Sequence, residues 1–265
     1  MSAENNGVPV IAAHNISKIF NAGAENQVVA LQDITLTAVG GEFISLIGPS
    51  GCGKSTLLRL IANLIEPTAG DLKVNGKPPH QARMDRDYGM VFQSATLYDW
   101  RTVSKNVQLP LEVMGYSRSE RERRSQEMLE MVELGQFGRH YPWQLSGGMQ
   151  QRVSIARALA FEPSLLLMDE PFGALDEFTR ERMNMELLRI WDTTHVTVVF
   201  VTHSIAEAVF LSSRIVVMSP RPGCITEIVE NDLPYPRNNA TREVPAYFEK
   251  VTEVRELLRY AYEVE

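Results

Sequence analysis

The segment Gly48-Pro49-Ser50-Gly51-Cys52-Gly53-Lys54-Ser55-Thr56 combines closely spaced glycines with a lysine and hydroxyl side chains. Glycines at 48, 51 and 53 let successive backbone N–H groups turn toward one anion without a Cβ in the way. A helix starting at this point adds its positive N-terminal end to the same anion. Lys54 would reach the β- and γ-phosphates as a point charge, and the Ser55 hydroxyl would take a Mg²⁺ coordination place. The spacing is that of a phosphate-binding loop and implies a bound nucleotide with Mg²⁺. Cys52 reads as an incidental small residue inside it.

Far along the chain, Leu145-Ser146-Gly147-Gly148-Met149-Gln150-Gln151-Arg152 forms a second candidate anion site. If Ser146, Gly147 and Gly148 open a helix, a hydroxyl and free N–H groups face the same point. The acidic pair Asp169-Glu170 closes an apolar run. Asp169 there suits a carboxylate that holds Mg²⁺. Where the chain turns at the strand's end, Glu170 can face the γ-phosphate and polarise water as general base.

Such residues need a rigid frame. Ile34, Leu36 and Ala38 alternate with Thr35, Thr37 and Val39, a half-buried strand signal. Phe43 to Ile47 runs directly into the glycine loop, and Leu57, Leu58, Ile61, Leu64 and Ile65 follow at helical spacing. The apolar runs Leu165–Met168, Val196–Val201 and Ile215–Met218 do not alternate, as expected of parallel strands covered on both faces. A helix over about 177–192, with Met183, Leu187, Leu188 and Trp191 inward, joins the first two. These elements imply an α/β fold.

Residues 94–156 lack strong strand runs and read as an inserted helical lobe. Ser119 to Glu122 has capping-box spacing, and the charge run Arg118 to Arg124 reads as a solvated helix face with Glu120 paired to Arg124. Pro220, Pro222, Gly223, Pro234 and Pro236 predict an extended connection. Beyond Pro245, the stripe Tyr247, Phe248, Val251, Val254, Leu258 and Ala261 predicts a helix packed on the body.

Lys plus Arg is 26 and Asp plus Glu is 33, so the net charge of −7 argues against a nucleic-acid partner. Cys52 and Cys224 fit a reducing compartment. No signal peptide or membrane span is visible.

The Leu145–Arg152 stretch resembles the signature sequence of ATP-binding-cassette ATPases, with Met149 where the common version has glutamine. Other elements of that family follow in order. Gln93 is similar to the glutamine that senses Mg²⁺ and the attacking water, Asp176 in Gly173-Ala174-Leu175-Asp176 to the D-loop aspartate, and His203 to the switch histidine. Phe20 lies where the family stacks an aromatic ring on adenine. The resemblance implies a RecA-like phosphate-loop core with a mainly parallel sheet, an N-terminal antiparallel β subdomain and an inserted helical subdomain. The implied divisions are 1–93 and 157–220 for the two parts of the core, 94–156 for the helical subdomain and 221–265 for a C-terminal extension. Glu170, His203 and Gln93 become the implied catalytic residues, with Ser55, Gln93 and Asp169 at Mg²⁺. Ser146, Gly147 and Gly148 then close on ATP held by a second ATPase subunit, identical or related, in a head-to-tail dimer.

Repair and chromosome ATPases of the superfamily, the alternative along with translation factors, usually carry long coiled coils, zinc modules or a second cassette, and this sequence shows the pattern of none of them. The segment 94–106, with Trp100-Arg101-Thr102-Val103, is similar to the permease-contacting region of nitrate, sulfonate and taurine importers, although Asp99 replaces the usual proline. The resemblance implies integral-membrane permease subunits, an extracytoplasmic solute-binding protein and a place at the cytoplasmic face of the inner membrane. The solute is not encoded in this chain.

Overall fold

The computed structural model describes residues 9–263. Strands β1 (Ile11–Phe20), β2 (Val28–Ala38) and β4 (Ala69–Val74) form an antiparallel sheet in the order β2-β1-β4. On β2 the expected alternation holds: Ile34, Leu36 and Ala38 are buried, and Thr35 and Thr37 are exposed.

The larger sheet runs β5 (Tyr88–Val91), β6 (Leu165–Asp169), β7 (Thr197–Val201), β3 (Phe43–Ile47), β8 (Arg214–Met218), β9 (Ile225–Glu230). Its first five strands are parallel and β9 is antiparallel to β8. Every residue of β3 and β7 is buried, because helices cover both faces. Parallel neighbours require crossovers, and α1 (Lys54–Ile61), α6 (Glu177–Thr194) and α7 (Ile205–Leu211) belong to them. Ligands in such sheets gather beyond the carboxyl ends of the strands, which is where β3 and β6 deliver the glycine loop and the acidic pair.

Helix α1 stops sooner than its apolar spacing predicts. Asn63 takes a left-handed φ of 46°, and the amides of Asn63 and Leu64 bond back to Leu60 and Arg59 in a Schellman cap, which leaves Leu64 exposed.

The short α2 (Pro79–Met84) precedes β5, and between β5 and β6 lie α3 (Val103–Val113), α4 (Arg118–Met131) and α5 (Gly147–Leu159). The cap of α4 is Ser117 rather than Ser119. Its hydroxyl oxygen accepts from Glu120 N and its O–H donates to the Glu120 carboxylate. Arg124 pairs with Glu162 at 2.5 Å, not with Glu120, and its side chain is largely buried. The charge run is therefore only partly a solvated face.

The tail also departs from expectation, because β9 forms where an extended connection is predicted. Helix α8 (Pro245–Glu263) lies on α7 and β8 with Tyr247, Val254 and Ala261 buried. Phe248 points outward, so the apolar stripe is narrower than expected. Among the described residues, no helix is long and apolar enough to cross a membrane.

Candidate functional site

The glycine loop joins β3 to α1 with its backbone bent as only glycine readily permits. Gly51 and Gly53 have φ of 78° and 105°. A Cβ on Gly48 would lie 2.8 Å from the Met218 carbonyl oxygen, so this position has no room for a side chain. The loop floors a cleft of about 460 Å³. Phe20, Val28, Ala30, Ser50, Gly51, Gly53 to Thr56, Glu170 and Arg221 form its wall. Gly48, Pro49 and Cys52 lie behind that wall, and the Cys52 side chain is buried.

Lys54 is 5% exposed, and its ammonium donates to the Gly48 and Pro49 carbonyls at 2.8 Å each. The Ser55 hydroxyl donates to Asp169 Oδ1 at 2.6 Å, joining the first turn of α1 to the end of β6. A hard divalent cation takes oxygen ligands of this kind, typically one or two carboxylates completed by phosphate oxygens. Among the described residues no group of three His, Cys, Asp or Glu could hold a metal without such help. The donor set therefore fits Mg²⁺ bound together with a nucleotide.

Glu170 leaves the strand with a left-handed φ of 48°, and its N–H donates to the Val201 carbonyl at 3.0 Å. That turn brings the carboxylate into the cleft wall instead of alternating it to the far face of β6. Its Oε2 lies 3.3 Å from His203 Nδ1, beyond β7. A Cβ on Gly173 would stand 3.2 Å from Gln93 Nε2 and 3.7 Å from Glu170 Oε2. Gln93, Glu170 and His203 are thus gathered at neighbouring strand ends.

Ser146, Gly147, Gly148 and Asp176 line a different surface. Ser146 caps α5, accepting from Met149 N, and Asp176 caps α6, accepting from Thr179 N at 3.0 Å. The Thr179 side chain first, and its N–H next, hold the Asp176 carboxyl below the usual carboxylate range. A Cβ on Gly147 would touch Leu175, and one on Gly148 would press Thr179 at 3.0 Å. None of these four residues enters the cleft wall of their own chain.

Sequence reasoning missed several supporting groups. Gln151 donates to the Phe92 carbonyl at 2.9 Å, and Arg157 donates to Ala95 and Thr96, so α5 is tied to the segment that carries Gln93. Glu207, buried beneath the His203 turn, accepts from the Thr202 hydroxyl at 2.5 Å. Burial pushes its carboxyl above the usual range. Arg221 reaches the cleft from the loop after β8. These contacts join distant segments, and no local spacing signals them.

The sequence matches the family described as ABC transporter over residues 31–173. The nitrate import ATP-binding protein NrtD of Synechocystis sp. is 43% identical over 92% of this chain and 93% of its own. The taurine import ATP-binding protein TauB of Yersinia pestis is 48% identical over 75% of this chain and 77% of its own. A solved dimeric structure of the ATP-binding cassette MJ0796, in a post-hydrolysis state bound to ADP and Pi, superposes with a TM-score of 0.72. It is 38% identical and covers 83% of this chain and 98% of its own.

Proposed function

The chain belongs to the ABC transporter family, and from that premise we propose that it is the ATP-hydrolysing subunit of an importer for a small anionic solute such as nitrate, a sulfonate or taurine. The observation that carries the reading is the joint placement of Ser55 on Asp169 and of Glu170 beside His203 at one cleft. The import relatives support the direction of transport.

In this reading Phe20 stacks on adenine, residues 48–56 cradle the phosphates, and Ser55, Asp169 and Gln93 hold Mg²⁺. The ion, when bound, neutralises charge on the phosphate oxygens. Glu170 Oε2 accepts the proton of the attacking water. The 3.3 Å approach of His203 Nδ1 to that oxygen orients the imidazole, leaving Nε2 for the γ-phosphate. Ser146, Gly147, Gly148 and Asp176 serve the cleft of a second ATPase subunit. Their surface, separate from the cleft wall of their own chain, supports that assignment. Hydrolysis removes the charge that joins the halves, and the dimer opens.

The segment 94–106 meets the permease. Trp100 is 76% exposed and stacks on Tyr98 with ring centroids 4.7 Å apart, an apolar surface that suits a membrane-protein partner. An extracytoplasmic binding protein supplies the solute, and the chain works at the cytoplasmic face of the inner membrane. Residues 94–156 act as the helical unit between the two parts of the ATP-binding core, and 221–265 as an extension.

Copurification from the native membrane tests the reading. The expected result is a permease and a binding protein, with ATPase activity of the reconstituted complex raised by nitrate, taurine or an alkanesulfonate. Stimulation of the isolated chain by DNA, with no permease recovered, would favour a non-transport ATPase of the same superfamily.

A further inference from the structure

Arg221 stands in the cleft wall although it belongs to neither motif. Its backbone is anchored on two sides. Gly223 N donates to the Ala30 carbonyl at 3.1 Å, and Gln32 N donates to the Gly223 carbonyl at 3.0 Å, which seats the loop on β2. Gly223 also presses so closely on Cys52 that an added Cβ would fall 1.9 Å from the Cys52 carbonyl oxygen. The loop therefore rests directly on the glycine loop, and Ser219 ties it internally through bonds to Pro220, Pro222 and Cys224.

From that base the guanidinium reaches Gly51, donating to its carbonyl at 3.4 Å. This is its one hydrogen bond among the described residues. An arginine fork carries five donors and matches phosphate geometry, and beyond the Gly51 bond the remaining donors have no protein partner among the described residues. The Lys54 ammonium, by contrast, is engaged by two loop carbonyls. The cleft also contains the Glu170 carboxylate, which a polyanion must approach. Arg221 meets the glycine loop itself, at the Gly51 carbonyl.

We infer that Arg221 is a nucleotide-binding residue whose guanidinium contacts an oxygen of the polyphosphate chain, supplying from the loop after β8 a cation additional to Lys54. The inference rests on the ATP-cleft reading above. It assigns the contact to phosphate, not to ribose or adenine.

Calorimetric titration of the full chain with ATP, and separately with inorganic tripolyphosphate, tests it. Arg221→Ala should weaken both ligands by about 10-fold or more, the range of a charge-assisted contact. Arg221→Lys should recover part of the loss, because the charge remains without the fork. The side chain is exposed, so the unliganded melting temperature of Arg221→Ala should match the parent. Affinities within twofold of the parent for both ligands would overturn the inference. A loss for ATP with tripolyphosphate unchanged would overturn it too, by moving the contact to the nucleoside. Failure of the parent chain to bind ATP would instead remove the cleft reading itself.

Discussion

His203 Nδ1 and Glu170 Oε2 lie 3.3 Å apart, although they follow different strands, β7 and β6. Two features create the approach. Adjacent parallel strands end at the same edge of the sheet, with Asp169 paired to Val201. The left-handed backbone at Glu170 then swings its carboxylate toward the turn that bears His203. The proposed base and the imidazole it orients are therefore brought together by the sheet's register, with no local motif joining them.

Glu170→Gln keeps the side chain's shape and removes its ability to take a proton. Turnover should fall by about 10²- to 10⁴-fold, the usual contribution of a positioned base. ATP binding should persist, and the Mg-ATP form should run as a dimer in size-exclusion chromatography with light scattering. Normal turnover in a steady-state ATPase assay would remove Glu170 from the base role.

The 2.6 Å bond between Ser55 and Asp169 places hydroxyl and carboxylate where a hard cation would be shared. Chelation with EDTA should stop hydrolysis. In a Mg²⁺ titration at fixed ATP, Asp169→Asn should need at least about tenfold more Mg²⁺ for half-maximal rate, because one formal charge leaves the ligand set. An unchanged Mg²⁺ midpoint would place the ion elsewhere.

Glu207 gives a pH signature in stability. Burial is the largest influence on it and raises its carboxyl above the ordinary value of 4.5; the Thr202 bond and the charges of Arg180 and His203 oppose this, and Glu177 reinforces it. Arg180 Nε stands 3.8 Å from Oε1, close enough for attraction but not for a hydrogen bond, and Oε1 has no hydrogen-bond partner. The folded chain thus keeps a proton that the unfolded chain releases just above pH 4.5. Its stabilising effect is complete below that pH and is lost as pH rises through the raised folded value. Glu207→Gln retains an acceptor for Thr202 and removes the titration. The melting temperature of the variant minus that of the parent should increase from pH 4.5 toward neutrality. A flat difference would assign the buried carboxyl no linked proton.

The parts of the site legible in sequence are those whose chemistry is local. Gly51 and Gly53 announce their own backbone, and the apolar runs Phe43–Ile47, broken only by Ser45, and Leu165–Met168 announce buried strands. Capping of α4 was ambiguous because Ser117 and Ser119 each precede a glutamate by three residues. Gly115, at φ 78°, ends α3 early enough for the chain to start its next helix at Arg118. Strand β9 was obscured because Ile225, Ile228 and Val229 sit among charged residues and near prolines. Its partner β8 supplies the ladder that these few apolar residues could not specify. The pairing of Arg124 with Glu162 and the seat of Arg221 on Gly51 depend on tertiary approach. Helical spacing proposes Glu120 for Arg124, and no periodicity proposes anything for Arg221.

Gly223 offers a test of the seat beneath the cleft that does not touch a nucleotide-facing side chain. Alanine there would set Cβ at 1.9 Å from the Cys52 carbonyl oxygen and 3.2 Å from Leu31. The first neighbour is backbone of the glycine loop, so relief requires the 219–223 segment or that loop to shift. Overpacking of this kind costs about 1–3 kcal/mol, and the displaced loop should also bind ATP more weakly. Gly138→Ala is the matched control, since its Cβ would meet Leu129 and Ser104 at 3.5 and 3.6 Å, ordinary contact distances. Its stability should stay within about 0.5 kcal/mol of the parent. Denaturant unfolding of both variants, with ATP titrations on each, makes the comparison. Equal stability for Gly223→Ala and the control would mean that the loop after β8 does not rest on the glycine loop in solution.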